Sequence, residues 1–193
     1  MSDFWLFLKL GLFHVLDWNA YDHILFLMVL TIAFSVDSWK KILLLVSLFT
    51  VGHTTSLALS AYDVIKMNTE IVEFLIPCTI LITALFTIFT VEKKSDSKRG
   101  ILYISTVFFG LIHGLGFSTY FEMISSSENN KIIPLLEFSL GIELAQILIA
   151  VGVLLLSFLL QTIFRFTKRD CVLILSSIVI GMVIPMIAKS SIW

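Results

Sequence analysis

The chain has four histidines, His14, His23, His53 and His113, and each lies within or at the edge of an apolar stretch, with none in a lysine- or arginine-rich connection. Asp22 stands next to His23, and Glu143 sits inside an otherwise apolar run. An acid at span depth costs about 3 kcal/mol to insert and must face a partner, a cavity or an ion. Imidazole nitrogen with one or two carboxylates suits Ni, Co, Zn, Cu or Fe, whereas Mg or Ca would want an oxygen cage. The candidate ligands of a divalent transition metal are therefore His14, Asp22, His23, His53, His113 and Glu143. Asp17, Thr50, Thr54, Gly114, Ser139 and Gln146 are the candidates to support them.

Each of these residues also has a plainer reading. A lone intramembrane His often only bridges two helices, worth about 0.6 kcal/mol on average. Glu143 can pin helices through a hydrogen bond, and Asp22 can cap a helix end. Thr50 and Thr54 share the face of His53, where their hydroxyls either orient the ring or bond back to the i−4 carbonyl. Gln146 follows Glu143 at i+3 on the same face. Gly110 and Gly114 form a GxxxG pair that lets another helix approach His113 closely. Phe49 precedes His53, and Phe109 precedes His113, by four residues; among 17 phenylalanines, chance accounts for that pairing.

The elements that must position these groups are membrane spans. Hydrophobic residues make up 58% of the 193 and charged residues only 14%, against about 45 to 50% and about a quarter in soluble domains. Mean hydropathy is +1.01. Apolar stretches run over 4–16, 24–36, 42–61, 71–91, 101–121, 133–164 and 172–188. Lipid leaves helices as the spanning form here, since alternating barrel strands are absent. The expected fold is an all-α polytopic bundle of about seven hydrophobic helices in a single transmembrane domain over 1–193.

Basic residues concentrate in 37–41, 92–100 and 165–170, which the positive-inside bias makes cytoplasmic. On helices entering from that side, His53 and His113 lie about 17 and 18 Å deep at 1.5 Å per residue. The first two segments are too short to span unless the polar stretch 17–23 dips into the membrane, as the floor of a vestibule. Segment 133–164 is long enough to tilt or project.

Several classes are excluded or weakened. A net charge of −1 leaves no nucleic-acid footprint. Cys78 and Cys171 lack any CxxC partner, which argues against a disulfide framework or a zinc ribbon. Met1 to Asp3 provide no basic region before Phe4, so residue 1 reads as the mature start. An intramembrane zinc hydrolase stays open, with Ser118, Ser139 and Glu143 available, although no HExxH or GxSxG motif is present. A non-transporting helical scaffold also stays open.

Taken together, His14 with Asp22-His23, FTVGHTTSL around His53, FGLIHGLGF around His113 and FSLGIELAQ around Glu143 and Gln146 resemble the HupE/UreJ hydrogenase and urease accessory family. The four stretches occur in the family's order. The family tends to have HPxxGxDH where this chain has HVLDWNAYDH, which leaves the choice of metal open. The resemblance implies a multi-pass permease of a bacterial inner membrane carrying nickel or cobalt as cargo. Its implied partners are metallochaperones or metalloenzyme maturation proteins, with homo-oligomerisation left open. Neutral imidazole is the ligand form, so uptake is expected to weaken as pH falls through about 6.5 unless the site shifts that value.

Overall fold

The computed structural model describes residues 4–18, 20–91, 97–126 and 130–190. Asn19, Lys93 and Lys94 therefore lie outside the described residues. Seven α-helices account for almost all of the rest: α1 Phe4–Leu16, α2 Asp22–Ile32, α3 Trp39–Ala61, α4 Thr69–Thr90, α5 Ser97–Ile124, α6 Ile132–Ile163 and α7 Lys168–Ala188. A 3-10 turn, Val36–Ser38, leads into α3, and no strand occurs among the described residues. Five helices, α3 to α7, are long and apolar enough to cross a membrane, while α1 and α2 are shorter.

The helix ends explain where the apolar stretches and the elements part company. Hydropathy marks only the greasy part of a helix, and capping adds polar turns to it. Thr167 accepts from the Asp170 N–H, and Asp170 accepts in return from the Thr167 N–H, a capping box that starts α7 four residues before its apolar run. Asn68 caps α4 in the same spirit by accepting from the Glu70 N–H. At the far end of α3, Asp63 takes a left-handed conformation (φ 58°). Its N–H bonds Ser60 O, and the Val64 N–H bonds Leu59 O, which satisfies two orphan carbonyls without a glycine. After α2, Lys168 donates to Phe34 O and ties the α2–α3 link to the start of α7.

Two close helix crossings organise the bundle. In α3 and α5, a Cβ on Gly110 would stand 2.3 Å from Phe49 O, and one on Gly114 2.2 Å from His53 O. Moving four residues along one helix thus moves four along the other, so α3 and α5 run parallel with their backbones touching. Gly52 completes the contact from the α3 side against Val107 O. In α1 and α6, Gly11 meets Phe138 O and Gly141 meets Leu8 O. Small residues at these four surfaces replace the hydrophobic drive that lipid cannot supply between helices.

At 1.5 Å per residue α1 and α2 are about 20 and 17 Å long, too short to cross separately. They form a V with Asp17, Trp18, Ala20 and Tyr21 at its tip. The rings of His14 and His23, one on each arm beside the tip, both lie 5.8 Å from that of His53, three residues past the middle of α3. The arms beside the tip therefore pack into the bundle, while Asp17, Trp18 and Ala20 on the tip itself are exposed.

Candidate metal centre

The V brings His14 and His23 together from α1 and α2, and the α3–α5 crossing brings His53 and His113 to meet them. His14 and His23 ring centres are 4.8 Å apart, and His23 and His113 5.1 Å. Nitrogen atoms of His14, His23 and His53 all lie within 4.8 Å of one another, as do donor atoms of Asp22, His23 and His113. His23 and His113 are 2% and 1% exposed and His53 is fully buried.

What separates this cluster from an ordinary polar contact is the state of its nitrogens. His14 Nε2, His23 Nε2, both nitrogens of His53 and His113 Nδ1 are buried without a hydrogen-bond partner. A buried polar atom left unpaired costs about 1 to 3 kcal/mol, so five together demand an explanation. The partners that do exist fix which nitrogen carries the proton. Asp22 Oδ1 can only accept, so the 3.0 Å contact to His23 Nδ1 is an N–H donation, and Nε2 keeps its bare lone pair. The same oxygen also accepts from the His23 backbone N–H at 2.8 Å. Thr79 gives its proton to Ile76 O at 2.7 Å, so its 3.4 Å contact with His113 Nε2 has the imidazole as donor. His113 Nδ1 is then the lone-pair nitrogen, and it is the unpartnered one. A metal-ligating His is held this way, with its second nitrogen donating to an oxygen.

Aromatic walls enclose the cluster. Phe117 lies 3.9 Å from the His14 ring, and Phe138 from α6 is 5.8 Å from it and stacks on Phe117. Phe49 lies 5.2 Å and Phe26 5.6 Å from His113. On the other side, a cleft of about 220 Å³ reaches Asp22 from the surface, bounded by Tyr21, Glu73, Pro77 and Met186. Glu73 is exposed at its rim. Pro77 has no N–H, so the Glu73 carbonyl one turn earlier loses its helix donor beside the same cleft.

The remaining sequence candidates go elsewhere. Glu143 joins neither ligand group. It accepts from Ser47 Oγ at 2.5 Å, and beside it Thr50 meets Gln146 at 2.9 Å and Thr54 meets Ser139 at 2.7 Å. These pairs form a polar seam between α3 and α6. Gly114 supports His53 directly, since its missing Cβ leaves room for His53 O and Ser56 Oγ. Asp17 is an exposed residue on the tip of the V. Thr79 and Glu73 carried no signal in the sequence, because one threonine in an apolar helix and one acid near a helix start are commonplace. Phe117 and Phe138 looked like filler for the same reason.

A family model described as HupE / UreJ protein matches residues 1–189. The chain belongs to that family. HupE/UreJ proteins are associated with nickel and cobalt handling as accessory membrane proteins, and the family is not a known enzyme family. No curated protein and no solved structure gives a significant match. This member is accordingly a multi-pass membrane protein, with five full-length candidate spans among the described residues.

Proposed function

We propose that the chain is a permease for a divalent transition metal ion, nickel or cobalt first, with the ion as cargo rather than as a resident cofactor. The observation that carries this reading is the set of five buried, unpartnered imidazole nitrogens contributed by four helices. A scaffold that used its histidines only to join helices would pair them, as the α3–α6 seam pairs its hydroxyls. His14, His23, His53 and His113 form the proposed binding set, with Asp22 holding His23 in its ligating tautomer and available to the ion from the cleft side. Glu143 is left out of that set.

The positive-inside bias of the basic connections at 37–41, 92–100 and 165–170 supports a cytoplasmic position for the ends of α2, α4 and α6 and the starts of α3, α5 and α7. The cleft at Asp22 then opens outward, with the exposed Glu73 carboxylate at its rim and Asp22 at its floor. A cation entering there meets negative charge before it meets imidazole, which raises its local concentration. The borderline donor set selects against Mg and Ca, which want oxygen cages, and allows Zn, Cu or Fe as competitors. The family's association favours nickel or cobalt as the cargo and a metallochaperone or maturation protein as the receiver, in a bacterial inner membrane.

The test is the metal content and affinity of the detergent-purified protein for Ni, Co, Zn, Cu and Fe, with His53→Ala beside it and folding followed by circular dichroism. Stoichiometric binding that falls at least 100-fold in the folded variant, together with lost uptake in cells at equal protein level, is the expected result. Absence of binding to any of the five metals would return the chain to the scaffold reading.

A further inference from the structure

Distances inside the cluster divide it. Donor atoms on one ion, each about 2.1 Å from it, stand at most about 4.2 Å apart. His14, His23 and His53 come close to that limit, with one nitrogen from each inside a span of 4.8 Å, and so do the donor atoms of Asp22, His23 and His113. Among the described residues no such group joins His14 or His53 to His113. The four imidazoles as arranged are thus two triads that overlap at His23 rather than one ligand sphere. A neutral imidazole has one lone pair to give, whichever tautomer it holds, so His23 serves one triad at a time.

The triads differ in chemistry and in what they adjoin. Asp22, His23 and His113 offer one carboxylate and two imidazoles, a facial set that leaves coordination positions open to water. Asp22 lines the cleft directly. His113 donates to Thr79, which follows Pro77 of the cleft wall by two residues on α4. This triad therefore backs onto the cleft. His14, His23 and His53 offer nitrogen alone. Phe117 and Phe138 close on the His14 ring. His53 is fully buried, and its neighbour Thr54 reaches across to Ser139 of α6. The second triad thus lies on the α6 side of the cluster, behind aromatic carbon.

We infer that the cluster is a two-position relay, in which a divalent cation arrives still hydrated on Asp22, His23 and His113 and passes through the shared His23 to His14, His23 and His53. The inference rests on the permease reading and adds an order and a filter. One ion occupies the cluster at a time, because His23 belongs to both positions. The move exchanges a carboxylate and water for a third imidazole, which suits nickel or cobalt. Mg and Ca, which keep oxygen ligands, stop at the first position because the second offers them none.

Cobalt(II) is the probe, since its visible d–d absorption is intense in a four-coordinate site and weak in a six-coordinate hydrated one. The detergent-purified full chain is titrated with it, and X-ray absorption counts the imidazole ligands. The unsubstituted protein should bind one cobalt per chain with the intense spectrum. His53→Ala should still bind one, at least 100-fold more weakly, with the weak spectrum of a hydrated ion and fewer imidazoles. His113→Ala should keep the intense spectrum and an affinity within ten-fold, yet lose at least ten-fold in cobalt uptake by cells at equal protein level. His53→Gln and His113→Gln, closer in shape, take their place if an alanine variant loses its helical circular dichroism. Equal loss of cobalt from the His53 and His113 variants would overturn the relay in favour of one four-histidine site and leave the permease reading intact. Two cobalt ions bound at once would overturn it as well. A failure of the unsubstituted protein to bind any cobalt, nickel, zinc, copper or iron would instead remove the permease reading, and the relay with it.

Discussion

The bundle contains two polar regions at similar depth, and they differ in how their polar atoms are satisfied. Along the α3–α6 seam, Ser47 meets Glu143, Thr50 meets Gln146 and Thr54 meets Ser139, each within 2.9 Å. Gln146 Nε2 is the one atom of these pairs that stands buried without a partner. Thr50 has a single proton and two acceptors in reach, Val46 O at 3.2 Å and Gln146 Oε1 at 2.9 Å. Turning the amide gives Thr50 Oγ1 a donor and frees that proton for Val46 O. The histidine cluster has no such remedy, because five nitrogens face one another and aromatic carbon. The seam leaves one amide group orphaned and the cluster leaves five nitrogens, and it is that difference which supports reading the first as a helix joint and the second as a proposed ligand site. Residue type alone does not distinguish the two, since both are built from the polar groups an apolar chain can least afford.

The sharpest way to break the contrast is at the backbone crossing that creates the cluster. Gly114→Val puts a side chain where a Cβ already stands 2.2 Å from both His53 O and Ser56 Oγ. It should force α3 from α5, cost about 3 kcal/mol, at the upper end for overpacking, and abolish metal binding. Thermal unfolding in detergent and metal titration measure the two effects. Asp22→Asn comes next. The amide no longer enforces the Nδ1–H tautomer of His23, so affinity should fall about 10- to 100-fold, the range for losing a ligand's supporting partner. Calorimetric titration of a folded variant checks it, and unchanged affinity would remove Asp22 from the site.

Glu143→Gln separates the regions from the other side. The seam should lose about 0.6 kcal/mol, an average interhelical hydrogen bond, while nickel or cobalt affinity stays within two-fold. A large loss of affinity would put Glu143 back among the ligands. The smallest effect is expected at Gly152, where a Cβ would meet nothing within 4 Å. Gly152→Ala should leave binding unchanged and raise stability by up to about 1 kcal/mol through helix propensity. It controls for glycine replacement as such, and a loss of binding there would mean that the crossing glycines are not special.

Much of the architecture was legible before any coordinates. Seven apolar stretches became seven helices because lipid forces each span to satisfy its own backbone. That the first two helices are shorter than a span follows from the same length argument, whereas the stretch between them, expected to dip inward, carries the exposed Asp17, Trp18 and Ala20. Their ends shifted by a few residues where caps extended a helix into polar sequence, as at Thr167 and Asn68. The close approach at Gly110 and Gly114 was also readable as spacing on one helix, although the partner was not.

By itself the sequence determined that this protein lives in lipid, how many helices it makes, and which rare polar residues must find partners there, because hydropathy and burial costs are properties of the chain alone. Only the tertiary structure decided which partners they found. His53 and Glu143 both sit on spans at comparable depth, yet one turns toward three other histidines and the other toward Ser47. That choice depends on helix rotation and on which helices touch, set by glycine contacts between residues more than fifty positions apart, which no local pattern along one helix records.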